Sequence, residues 1–181
     1  MPLDKEQFEH IFVKTKERYD ELQDVEINLR FHNECFFSMR ASIYLSSFFK
    51  KKRRYFINVN LKRSNIFLKL SEDDLMGWFG HELAHIVDYE TMNNFKLLLF
   101  TFKYIFDLKF RFFVEKRINV LTSNNGLAKE LFYVWKKFVS MDQVSDKYKR
   151  YIIKNYRPEW EDIKEMAQVQ GVTKEVYESL K

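Results

Sequence analysis

Only one cysteine, Cys35, occurs in the 181 residues, so no disulfide can close within the chain and a reducing compartment suits it best. Cys35 itself reads as a small buried hydrophobe. Glycine and proline are also scarce, at four and two. No linker rich in Pro, Gly or Ser, no internal repeat and no low-complexity tract interrupts an even composition, which points to one domain over residues 1–181. No apolar run is long enough to cross a bilayer, because the richest segment, Leu97 to Phe113, is broken by Lys103, Asp107, Lys109 and Arg111. The opening residues, Met1-Pro2-Leu3-Asp4-Lys5-Glu6, lack the apolar core of a signal peptide, and a cytoplasmic location is expected. A strong excess of one charge is missing too. Lys and Arg number 31 against 26 Asp and Glu, a net charge of +5 that is compatible with acidic partners but is not by itself a sign of nucleic acid.

What the chain does have is material for a full core, with 46% of its residues hydrophobic, and one motif that concentrates chemistry: Gly80-His81-Glu82-Leu83-Ala84-His85. Residues four apart on an α-helix lie one turn above each other. His81 and His85 can therefore turn imidazole nitrogens toward one ion while Glu82 faces the water that ion holds. From Leu75 to Val87 these three are the only ionisable residues, so the helix has no solvated face. Two imidazoles and a carboxylate buried without partners would cost several kcal/mol, and a Zn2+ ion with its water satisfies all three. A pair of core histidines hydrogen-bonded to carboxylates is the plainer alternative.

The surroundings predict an α+β fold: a small N-terminal antiparallel or mixed sheet packed on the motif helix, and a mostly helical C-terminal half. Leu3 to Leu22 places Phe8, Ile11, Phe12 and Tyr19 amid charges, an amphipathic surface helix. Val25 to Phe31 alternates as a half-buried strand does, and Phe36 to Ile43 is a partner for it. Lys50-Lys51-Lys52-Arg53-Arg54 reads as a solvated loop leading into a strand made of Tyr55, Phe56, Ile57, Asn58, Val59 and Asn60. Ser71-Glu72-Asp73-Asp74 resembles a capping box that opens the motif helix. Gly77, Gly80 and Ala84 fall along one side of it and allow a neighbour to approach closely. From Phe95 onward helical spacing dominates, with breaks near Asn124-Asn125-Gly126 and before Pro158.

His10 and His32 lie upstream and no histidine follows His85, so a third ligand should be a carboxylate. His32 with Cys35 lacks the further ligands of a second site. Downstream candidates are Asp88, Glu90, Asp107, Glu115 and Glu130. Asp88 and Glu90 sit on the motif helix itself and read better as supporting or surface groups. Glu115 is favoured, because its aromatic helical segment, Phe112 to Asn119, can bring a carboxylate back under the motif helix; the alternative is a surface acid paired with Lys116 or Arg117.

With Glu115 in view, residues 54–131 resemble the gluzincin metallopeptidases, and also a group of small uncharacterised bacterial proteins with the same order of elements and, more loosely, minimal single-domain gluzincins. In gluzincins a second helix supplies a glutamate ligand within Glu-x-x-x-Asp. The resemblance implies Zn2+ held by His81, His85 and Glu115, with Glu82 as the general base. The family's aspartate, which orients a ligand histidine, falls on Asn119, whose amide oxygen can accept the same hydrogen bond but adds no negative charge. It also implies that the strand before the motif helix, here Tyr55 to Asn60, is an exposed edge on which a peptide lies antiparallel.

The expected function is a zinc-dependent metallopeptidase acting on a peptide or protein substrate. One alternative is a catalytically weak relative that binds peptide without cutting it. Another is a basic module for an anionic membrane surface or nucleic acid, built on the run at 50–54 and on Lys96, Lys103, Lys109, Arg111, Lys116 and Arg117; it is not favoured, because packing explains the neighbouring aromatics more simply. Tyr133, Tyr151, Tyr156 and Arg157 are unranked candidates for stabilising an oxyanion.

Overall fold

The computed structural model describes residues 5–33 and 38–142 with residues 144, 146, 149 and 150, and the backbone alone at 63–65. Cys35, Tyr151, Tyr156, Arg157 and the break expected before Pro158 lie outside the described residues. Within them the fold is α+β, a three-stranded mixed sheet followed by a helical C-terminal half. Helix α1 (Lys5–Lys16) buries Phe8, Ile11, Phe12 and Thr15, the i, i+3, i+4, i+7 pattern of one helix face. Strands β1 (Glu26–His32), β2 (Met39–Ile43) and β3 (Arg54–Asn60) follow, then a single turn α2 (Ser64–Phe67). The remainder is α3 (Glu72–Glu90), α4 (Asn94–Phe106), α5 (Leu108–Thr122) and α6 (Ala128–Ser140). No helix among the described residues is long and apolar enough to cross a membrane.

Strand order is β1-β3-β2, with β1 parallel and β2 antiparallel to β3. Two expectations are corrected by this. The segment ending at Ile43 pairs with β3 and not with β1. And Tyr55, Phe56, Ile57, Asn58, Val59 and Asn60 form the central strand, bonded on both sides, so they offer no free edge to a peptide. Burial accounts for the arrangement: Tyr55, Ile57 and Val59 are wholly inaccessible, and the strand with the most to bury takes the centre. The edge nearest the motif helix belongs to β2.

Helix α3 is the axis of the molecule, buried at every residue from Asp74 to Asp88 and packed by α1, β2, α5 and α6. Its start is set by a capping box in which Ser71 Oγ accepts from Asp74 N and Asp74 Oδ2 accepts from Ser71 N at 2.7 Å; Lys137 of α6 also donates to Asp74. Gly77 faces the backbone of α6 so closely that a Cβ there would lie 2.3 Å from the Glu130 carbonyl carbon. Tyr19, fully buried, donates its hydroxyl to Gly80 O at 2.6 Å. At the other end Arg53 donates to Tyr89 O and Met92 O, at 2.8 and 2.7 Å, and so serves one carbonyl in the last turn of α3 and one just beyond it. Lys50, Lys51 and Lys52 of the basic run are solvated, and Arg54 is partly so.

The long helical stretch after Phe95 breaks where expected at Asn125 and Gly126, with Gly126 at φ 79°. It also breaks at Asp107, whose Oδ1 accepts from the N–H groups of Lys109 and Phe110 and caps α5. That turn folds α5 back under α3.

Candidate metal centre

The motif helix and α5 meet at three buried side chains, His81, His85 and Glu115, each no more than 5% exposed. Glu115 Oε2 lies 3.1 Å from His81 Nε2 and 3.6 Å from His85 Nε2. The group could hold a metal ion. Of the other carboxylates considered, none joins it. Asp88 pairs with Arg117 at 2.5 Å, Glu90 accepts from the Tyr55 hydroxyl, Asp107 caps α5, and Glu130 sits against α3 at Gly77.

Three observations bear on whether a cation fits. His81 Nδ1 is 3.0 Å from Asn119 Oδ1, which can only accept, so the ring proton resides on Nδ1 and Nε2 keeps a lone pair. With the ring neutral, Nε2 and Glu115 Oε2 face each other lone pair to lone pair at 3.1 Å, an arrangement that either a proton or a metal cation between them relieves. Second, Glu115 Oε1 accepts from the Tyr104 hydroxyl while Oε2 is buried with no hydrogen-bond donor of its own. Third, two metal bonds of about 2.0–2.1 Å opened at a tetrahedral angle span about 3.3 Å, which the two separations bracket. The donor set, two imidazoles and one carboxylate, suits a borderline cation such as zinc.

Without a metal, the same three groups hold one another through a proton. Burial alone would keep the His85 ring neutral, but Glu115, Glu82 and Asp88 around it outweigh that and raise its pKa above the ordinary imidazole value. Burial would also raise Glu115; the two imidazoles overcome it and hold this carboxyl well below the usual range.

Glu82 stands on the adjoining side of α3, with Oε2 accepting the Ala41 N–H at 2.6 Å. Ser38 O accepts from Asn60 N and Tyr44 N donates to Arg54 O, so the even-numbered residues of β2 bond to β3. By strand alternation Met39, Ala41 and Ile43 turn their backbone groups to the outer edge. That edge, Glu82, both histidines and Glu115 line one pocket of about 440 Å³, closed further by Trp78, Tyr89, Tyr104 and Trp135. Trp135 meets His81 edge-on, and Tyr89 lies over His85.

Sequence reasoning missed Tyr104, Trp135 and the β2 edge. Tyr104 carries no motif of its own; recognising Asp107 as a cap would have shown the α4–α5 hairpin that brings this hydroxyl to Glu115. Tyr133 does not line the pocket. Comparisons of the chain with protein-family models, with curated proteins and with solved structures each return no match.

Proposed function

We propose that the chain is a zinc-dependent peptidase of the gluzincin kind, with His81, His85 and Glu115 as metal ligands and Glu82 as general base. The observation that carries the reading is the convergence of a buried His-His-Glu group, a neighbouring carboxylate and a strand edge that no other strand pairs with on one pocket. When bound, zinc would supply Lewis acidity, polarising a scissile carbonyl and lowering the pKa of a water.

The protein's own groups divide the remaining work. With Oε2 held by the Ala41 N–H, Glu82 has Oε1 to take the proton of the attacking water and return it to the leaving amine. An extended peptide is received by the backbone groups of the outer edge of β2 other than the Ala41 N–H that Glu82 engages, where pairing is tolerant of sequence and orients the amide across α3. Asn119 fixes the tautomer of His81, and Tyr104 fixes the rotamer of Glu115 by occupying its second oxygen. Trp78, Trp135 and Tyr89 form the walls and limit water in the site.

The test is metal analysis of purified protein beside hydrolysis of a quenched-fluorescence peptide library. The parent is expected to hold about one zinc per chain. His81→Ala and His85→Ala should lose it, and Glu82→Gln should keep it while losing cleavage. Equal metal content in all three variants would remove the proposed centre; a loaded parent that cleaves nothing in the library would remove the peptidase reading.

A further inference from the structure

Helix α4 is apolar on two opposite sides. Leu97 and Phe100 face inward and are buried, with Tyr104 half-buried beside them. On the far side Phe95, Leu99, Phe102 and Phe106 recur at i, i+4, i+7 and i+11 and are 69%, 48%, 55% and 77% exposed. At 100° per residue these form one stripe directly opposite the core-facing side. A helix lying on a core ordinarily turns that side polar. Here Lys96 and Lys103, both exposed, run along one margin of the stripe instead. The stripe passes the turn at Asp107 and continues in Leu108 and Phe113, 68% and 62% exposed. Between 94 and 113 the cations are Lys96, Lys103, Lys109 and Arg111, and the only acid, Asp107, is engaged in capping α5.

A second element repeats the chemistry. The connection from β2 to β3 carries Leu45 and Phe49, each 85% exposed, followed by the solvated Lys50, Lys51 and Lys52. Arg53 ties this connection to the start of α4 through Asn94 Oδ1 at 2.7 Å. Phe48 from the connection and Thr101 and Ile105 from α4 line the same pocket. Two apolar protrusions with basic margins thus flank one opening.

We propose that α4 and the β2–β3 connection dock the chain on an anionic lipid bilayer, α4 lying in the interfacial plane. Exposed Phe and Leu would enter the boundary between headgroups and acyl chains, and the lysines would extend along it to phosphates and carboxylates. Nucleic acid would satisfy the lysines and leave the phenylalanines in water. A dimer through the stripe would set Lys96 and Lys103 against their own copies. A surface that is negative outside and apolar beneath answers both features. Docked in this way, the pocket faces segments that emerge close to the membrane. The inference uses residues outside the metal centre and stands or falls apart from the peptidase reading.

Flotation of the full chain with phosphatidylcholine vesicles, with and without about 30 mol% phosphatidylserine, tests it. Binding to the anionic vesicles is expected, at least about tenfold weaker on phosphatidylcholine alone, and weakened on raising salt from about 0.1 to about 0.5 M. The double variant Phe102→Glu/Phe106→Glu, and separately Lys96→Glu/Lys103→Glu, should each lower partitioning by about tenfold or more. Both should keep the parent's metal content and, within a few degrees, its melting temperature, since these side chains are exposed and outside the pocket, Lys103 reaching only the ring of Phe110. Absence of binding to anionic vesicles, or binding that both variants leave unchanged, would overturn the proposal. So would lipid-free self-association abolished by the phenylalanine variant, which would assign the stripe to a second copy.

Discussion

Asn119 and Tyr104 act on opposite sides of the same candidate metal group. Asn119 determines which imidazole nitrogen of His81 is available, and Tyr104 determines which carboxylate oxygen of Glu115 is. Partners of this kind typically change metal affinity by about 10 to 100 fold when removed. Asn119→Leu should therefore bind zinc more weakly than the parent by that order, whereas Asn119→Asp, which adds charge to the same hydrogen bond, should bind at least as tightly. Tyr104→Phe should weaken binding, and Tyr133→Phe, remote from the pocket, should not. Competition with a chromophoric chelator measures all four. If Leu and Asp at 119 both behave as Asn does, the His81 tautomer is controlled from elsewhere.

Among the elements α3 has the least freedom, because helices and a strand approach it from every side and two of its contacts are with backbone. Gly77→Ala drives a methyl into the main chain of Glu130, which has no flexible end to move aside. The expected loss is about 1–3 kcal/mol or more in urea unfolding, with the midpoint lowered. An unchanged midpoint would mean that α6 can withdraw from α3 freely. Much of this element was legible beforehand: the Ser71 cap, the glycine side and the buried ionisable trio each follow from local spacing. So did the break at Gly126, where a positive φ excludes most other residues. Strand order was not, since alternation tells which face a strand buries and is silent on which neighbour it bonds. For that reason the family resemblance places a free edge at Tyr55–Asn60, where the structure has the central strand with β2 at the edge. The hairpin at Asp107 was hidden by aromatic residues that continue the helical pattern on both sides of a single capping carboxylate.

At the scale of the whole molecule, α3 and α5 are separated in sequence by a helical hairpin and would be joined at the centre by one ion. A cation that binds only the folded chain stabilises it by about 2.7 kcal/mol at a hundredfold excess over Kd. For a chain of this length that corresponds to roughly 5–10 °C in melting temperature. Chelation should lower the parent's Tm by that order and leave His85→Ala unmoved; equal shifts in both would show that the chelator acts elsewhere. The position of Glu115 in the chain also orders events in time. During synthesis His81 and His85 leave the ribosome as a pair, a full hairpin ahead of the carboxylate that completes the set. Trp135 and the α6 backbone, which cover His81 and Gly77, emerge later still. A nascent chain that has emerged only as far as α4 thus offers two of the three proposed ligands, and retention of an ion would belong to the chain that has emerged beyond α6.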